Sequence, residues 1–281
     1  ALRRMNMLVR SSVIDEATAL ALTRAFARNT DRLAAWQVQL ISEAMTASSG
    51  VADVDGPPNE AIAQRTARLI VDLADELEPM LVYAWRRHLA DAVSRMLADV
   101  GSGSESDAPG QLRCVGFADL VSFTTLVRQL SERDLARTVQ RFEALATDVV
   151  TAHGGRVVKT VGDEVLFSTR TPAPGAAIAL DLVDALAEDE VLPDLRVGVS
   201  FGTVVSRLGD VFGTTVNRAA RLTALAHPNA VLVDGPLATA LTSQSGFRLT
   251  AMRRRTLRGV GSVTPHVLAR TSTPTRRGRY E

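Results

Sequence analysis

Arg156-Val157-Val158-Lys159-Thr160-Val161-Gly162-Asp163-Glu164-Val165-Leu166-Phe167-Ser168 reads as two β-branched and aromatic runs either side of one turn candidate, Gly162-Asp163. Two such runs separated by a two-residue, Gly-containing step predict a β-hairpin, with strands Arg156 to Val161 and Glu164 to Ser168. Upstream, Ser131-Glu132-Arg133-Asp134 is a capping-box-like start to a helix that runs to about Ala152 and stops at Gly154-Gly155. Before it, Leu112 to Ala118 is a first strand. Downstream come an Ala-rich helix (Ala173 to Glu188), a strand (Leu195 to Phe201), a helix (Thr214 to Ala226) and further strands near Val231, Phe247 and Val263. The order βαββαβ predicts an α+β sandwich of ferredoxin type.

Farther out the pattern changes. Residues 101–110 (GSGSESDAPG) are small, polar and helix-breaking, as in a flexible linker. Ahead of them, residues 13–47 and 59–99 carry apolar residues at three- and four-residue spacing and read as helices joined by a loop from Ser48 to Pro58. The expected organisation is an all-α helical domain over 1–100, a linker over 101–111, the α+β domain over 112–270 and a disordered basic tail over 271–281. The helical region reads as a packing or dimerisation module, with a small-molecule sensor as the alternative, and Trp36, Trp85 and His88 as core or interface residues.

Composition narrows the partners. With 46 % hydrophobic and 22 % charged residues the 281-residue chain can bury a core. Lys plus Arg (32) nearly balances Asp plus Glu (31), so no net positive field favours nucleic acid. Cys114 is the single cysteine, which excludes an intrachain disulfide and a cysteine-based zinc cage and fits a reducing compartment. No window reaches the 18 or so apolar residues of a membrane span, and residues 1–10 alternate Arg with apolar residues instead of forming a signal-peptide core. No membrane segment is expected in the chain as given, and a cytoplasmic location is. The chain begins with Ala, so further sequence upstream, including an anchor, stays open.

Three segments carry chemistry. In Phe117-Ala118-Asp119-Leu120-Val121-Ser122-Phe123-Thr124 a strand ends in a carboxylate and runs into a small-residue turn whose backbone N–H groups could face an anion; a helix-capping Asp is the plainer alternative. Asp163 at the hairpin tip is the second carboxylate. Two carboxylates about 4 Å apart repel by about 4 kcal/mol at an effective dielectric near 20, so they coexist ionised around a cation, and oxygen donors select Mg²⁺ or Mn²⁺; otherwise they are two solvated acids. If Lys159 and Asp163 lay on one extended segment they would sit about 13 Å apart, too far for an ion pair, and Lys159 is either a nucleotide-facing donor or an exposed strand-end lysine. In Gly209-Asp210-Val211-Phe212-Gly213-Thr214-Thr215-Val216-Asn217-Arg218-Ala219-Ala220-Arg221-Leu222, Asn217 and Arg221 are four apart on a helix and share a face. An amide and a guanidinium together suit a ribose and a phosphoryl group, though each is also common on a solvated helix.

Taken together, FADLVSFT, KTVGDE and GDVFGTTVNRAARL resemble, in order and separation, the three signature segments of class III adenylate cyclases, over roughly Leu112 to Arg270. The resemblance implies that Asp119 and Asp163 bind two divalent ions per site, Mg²⁺ or Mn²⁺, that Lys159 and Asp210 recognise adenine, and that Asn217 and Arg221 serve the transition state. It implies conversion of ATP to cyclic AMP and pyrophosphate by attack of the ribose 3′-hydroxyl on the α-phosphate, in sites shared between the subunits of a homodimer. Guanylate cyclases are similar but usually carry Glu in place of the Lys. Arg258 resembles a basic position that reaches the triphosphate in some relatives, a solvated strand-edge Arg being the alternative. The helical region resembles regulatory domains that precede some actinobacterial soluble cyclases. The competing function is a cyclase-fold module that binds nucleotide or a partner without turnover, which usually shows losses among the six positions. A diguanylate cyclase is disfavoured by the absence of a GGDEF or GGEEF segment.

Overall fold

A computed structural model describes residues 2–48, 60–101, 110–207 and 209–271. The chain divides into two compact units, residues 1–106 and 107–281. Most of the expected linker and tail lies outside the described residues.

The first unit holds α1 (Leu2–Arg10), α2 (Glu16–Ser48) and α3 (Glu60–Gly101), with α2 and α3 packed together. α1 was not expected from the sequence, and α3 continues through Pro79, whose ring removes one backbone donor from the helix. Among the described residues of this unit, Ala19 and Thr66 are the buried ones. Trp85 is half-exposed and meets Phe26 with ring centroids 6.5 Å apart, while Trp36 is 55 % exposed and His88 is exposed. Neither tryptophan is therefore a core residue of one chain, because a helix pair has no third layer to cover its outer faces.

The second unit runs β1 (Gln111–Leu120), α4 (Phe123–Val127), α5 (Glu132–Ala152), β2 (Arg156–Val161), β3 (Glu164–Thr169), α6 (Pro172–Ala187), β4 (Leu195–Arg207), β5 (Asp210–Phe212), α7 (Thr214–Leu225), β6 (Val231–Val233), α8 (Gly235–Leu241), β7 (Phe247–Ala251), β8 (Arg255–Leu257), β9 (Gly261–Val263) and β10 (His266–Arg270). The sheet order is β2-β3-β1-β4-β6-β10-β7, and its first four members have the ferredoxin-like βαββαβ arrangement. The local signals behave as expected. Ser131 caps α5 by accepting from the Asp134 N–H at 3.2 Å. Gly162 takes φ +63° at the first turn position between β2 and β3, where a side chain would be strained.

β1 is buried on both faces, which is why Cys114 to Ala118 form a continuous buried run instead of alternating. One face packs Phe142, Ile178 and Leu182 of α5 and α6 against Leu120 and Phe167. On the other, Val115, Phe117 and Leu166 meet Ala219 of α7. Gly198 of β4 allows α7 to approach: a Cβ there would lie 2.2 Å from the Thr223 backbone nitrogen. Burial raises the Cys114 thiol far above its ordinary pKa, so it is an inert core group.

Candidate functional site

The six candidate residues are organised by the α7-bearing face of the sheet. Asp119 lies opposite Glu164 of β3 and Arg196 of β4, and directly opposed residues project to the same side. Phe117, two residues before Asp119, belongs to the cluster that packs on α7. The row Arg196–Asp119–Glu164 thus lies on that face. Arg196 grips Asp119 through Nε at 2.7 Å and Nη2 at 2.5 Å, both to Oδ2. Asp163 sits in the hairpin turn, and its carbonyl accepts from the Leu120 N–H at 3.1 Å, tying the tip of the hairpin to the end of β1. The two aspartates are thereby brought together.

Burial raises the Asp163 carboxyl above the ordinary aspartate range, and the nearby Asp119 charge adds to it. Glu164 is raised as well, by burial first and then by the charges of Asp119 and Asp163. Hard carboxylate oxygens under mutual repulsion, relieved in part by Arg196, fit a divalent cation. Among the described residues no group of three or more His, Cys, Asp or Glu forms a ready-made metal cluster. Of the N–H donors expected beside Asp119, those of Leu120 and Val121 are already bonded, to the carbonyls of Asp163 and Asp194.

Lys159 owes its direction to a β-bulge. Val157 pairs with Phe167 but Lys159 pairs with the next residue, Leu166, so one extra residue, Val158, is accommodated in β2. The bulge turns Lys159 onto the face of Leu166, the α7 side, where β5 lies against β2. There its Nζ meets Asp210 Oδ2 at 2.6 Å. Lys159 is the only lysine in the chain. Burial pushes the Asp210 carboxyl upward, but the hydrogen bonds from Lys159 and the Val211 N–H, with the charges of Lys159 and Arg156, outweigh it and leave Asp210 below the ordinary range. Arg156 also donates to the Gly209 carbonyl, holding the turn that presents Asp210.

Asn217 and Arg221 project from the exposed side of α7, opposite the buried Thr215, Ala219, Leu222 and Thr223. Among the described residues neither side chain makes a hydrogen bond or ion pair, and neither is joined to the Asp119 group or to the Lys159–Asp210 pair. Between them, Arg218 turns inward to Asp234 at 2.8 Å. Arg258 is exposed in the turn between β8 and β9. Sequence reasoning missed Arg196, Glu164 and the Arg218–Asp234 pair. Glu164 was visible as the neighbour of Asp163, whereas Arg196 meets Asp119 only through strand register, which no local spacing encodes.

The family described as "Adenylate and Guanylate cyclase catalytic domain" matches residues 109–270. An adenylate cyclase of Glutamicibacter nicotianae is 41 % identical over 96 % of this chain and 68 % of its own length. One of Streptomyces coelicolor is 39 % identical over 96 % of this chain and 75 % of its own. Among solved structures, the catalytic core of a rhodopsin-guanylyl cyclase with converted specificity, in complex with ATPalphaS, superposes with a TM-score of 0.53 at 20 % identity, covering 57 % of this chain and 97 % of that one. The adenylyl cyclase CyaB from P. aeruginosa gives 0.51 at 17 % identity over 60 % and 98 %. At those identities the structural likeness is one of fold. No helix among the described residues is long and apolar enough to cross a membrane.

Proposed function

This chain belongs to the adenylate and guanylate cyclase catalytic family, and from that premise we propose that it is an adenylate cyclase converting ATP to 3′,5′-cyclic AMP and pyrophosphate. The observation that carries the adenine assignment is the Lys159–Asp210 pair, a donor and an acceptor held 2.6 Å apart. Adenine offers an acceptor at N1 and a donor at its 6-amino group, so Lys159 and Asp210 each exchange their mutual partner for a complementary one. Guanine offers a donor at N1 and an acceptor at O6, which sets like against like and leaves the pair unreplaced. Asp210 is a carboxylate, and so an acceptor, at neutral pH.

Asp119 and Asp163 would hold the divalent ions that class III adenylate cyclases generally use. Bound there, such ions acidify the ribose 3′-hydroxyl and neutralise triphosphate charge. Arg196, which pairs with Asp119 in this structure, would be a guanidinium available to the polyphosphate if Asp119 held an ion instead. Arg221 offsets charge growing on the α-phosphoryl oxygens and Asn217 orients the ribose, both from the open face of α7. Asn217 and Arg221 form no hydrogen bond or ion pair with Asp119 or Asp163 of their own chain among the described residues, which is in keeping with a homodimer whose sites are shared across its two-fold axis. The helical unit is a regulatory or dimerisation module in this reading. A binding module without turnover is disfavoured, since all six positions keep the expected side chains.

The test is purified protein with ATP or GTP and Mg²⁺ or Mn²⁺, the product identified by mass. Cyclic AMP should form faster than cyclic GTP with either metal, and Lys159→Ala with Asp210→Ala should narrow that ratio more than it weakens metal affinity. Equal rates for both nucleotides with the unaltered protein would remove the adenine assignment.

A further inference from the structure

We infer that Arg218 is a positioning residue for catalysis: its ion pair with Asp234 sets the rotation of α7, and so the direction in which Asn217 and Arg221 point. This rests on the reading of Asn217 and Arg221 given above. Asp234 is fully buried at the end of β6. Its Oδ2 accepts from Ser200 Oγ at 2.5 Å and from Arg218 Nη1 at 2.8 Å, and its Oδ1 accepts from the backbone N–H groups of Leu237 at 2.9 Å and Phe201 at 3.3 Å. One carboxylate therefore joins β4, α7 and the start of α8.

Arg218 is the only one of its four donor partners that belongs to α7. Other ties between α7 and the sheet include Thr215 Oγ1 to the Thr203 carbonyl at 2.8 Å, Thr223 Oγ1 to the Phe117 carbonyl at 3.2 Å, packing around Ala219 and burial of Leu222 against Leu232. Those contacts hold α7 close to the sheet. They lie on its buried side, along the line of contact with the sheet. Arg218 differs in place: it leaves the flank of α7, between the buried and the exposed sides, and reaches Asp234 beyond β6, so a roll of the helix works directly against it. Asn217 is its immediate neighbour and Arg221 lies three residues on, so a roll of the helix carries both together. Burial of the acceptor makes the pair strongly directional, since an unpaired Asp234 would be a desolvated charge.

The experiment uses the full-length protein with its metal–ATP substrate. Arg218→Gln removes the charge and keeps most of the volume. The expected result is a kcat lower by about tenfold, the scale of a small misplacement of reacting groups, with KM for the metal–ATP complex within about twofold of its original value. Arg218→Lys should restore at least half of the lost kcat. On an Asn217→Ala, Arg221→Ala background, Arg218→Gln should have no further effect on kcat, since the groups it positions are gone. Should Arg218→Gln fail to fold, Asp234→Asn, which keeps acceptors for the backbone N–H groups, should give the same kcat loss.

Unchanged kcat in Arg218→Gln, with Asn217→Ala and Arg221→Ala each strongly impaired, would overturn the positioning role and leave the catalytic reading standing. An equal loss on the Asn217→Ala, Arg221→Ala background would also overturn it, assigning the pair to stability alone. If Asn217→Ala and Arg221→Ala are themselves fully active, it is the underlying reading that fails.

Discussion

Asp163 and Glu164 carry a charge the metal-free fold resists. Their folded-state pKa values lie above the unfolded ones, so each contributes stability only while protonated, below its unfolded value. That contribution is lost as the pH rises through the folded value, and at pH 7 the ionised groups oppose folding. Asp163→Asn should therefore raise the metal-free melting temperature at pH 7 slightly, on the order of 1 °C once solvent screening of this partly buried group is allowed for. The same substitution should abolish the rise that Mg²⁺ or Mn²⁺ produces in the unaltered protein. Apparent metal affinity should fall as the pH drops toward the raised carboxyl range, because ions and protons compete for the same oxygens. A variant that melts lower without metal, yet is still stabilised by it, would contradict this account. The six candidate positions could be proposed from the sequence because each sits in a motif short enough to be shaped by one turn or one helical repeat. Arg196 and Asp234 were not, since their partners lie 77 and 16 residues away and meet them only after the sheet and α7 have packed.

The hairpin, the capped helix α5 and the α7 helix were readable from turn residues and periodicity, and their ends shifted by a residue or so. β4 was misread: expected to stop at Phe201, it continues to Arg207 and turns back as β5. Gly202, the next residue, stays in the strand and admits the Thr215 hydroxyl, which would lie 2.8 Å from a Cβ there. This missed arm is what delivers Asp210 to Lys159. The contact between β4 and α7 yields a further prediction. Gly198→Ala would set its methyl 2.5 Å from the Ala219 carbonyl and 2.2 Å from the Thr223 nitrogen, both backbone atoms that cannot swing aside. The cost is about 1–3 kcal/mol of overpacking, read as a melting temperature lower by several degrees. Turnover should fall as well, because the displaced element carries Asn217 and Arg221. Unaltered melting and kcat would show that α7 is not held at this distance by Gly198.

Across the whole molecule, the exposed apolar side chains of the helical unit, including Met80 at 66 % and Tyr83 at 68 %, and the unpartnered face of α7 both support the homodimer reading. Shared sites make a numerical prediction. Asp119→Ala and Lys159→Ala proteins should each be nearly inactive, yet regain activity when mixed, because a hybrid dimer concentrates both lesions in one site and leaves the other intact. Random exchange makes about half the dimers hybrid, each with one good site of two, so about one quarter of the original activity should return. An inactive mixture after confirmed subunit exchange would exclude shared sites. The solitary Lys159 has a consequence of another kind. A lysine-specific endoproteinase has a single place to cut this chain, the bond from Lys159 to Thr160, inside β2 at the rim of the sheet. That one cut separates residues 1–159 from 160–281, leaving Asp119 on one fragment and Asp163 on the other. A bond within a paired strand is cleaved only when the strand peels away, so digestion is a clock for local opening of the rim. A nucleotide that engages Lys159 should slow that clock, giving a gel-based measure of occupancy that needs no turnover.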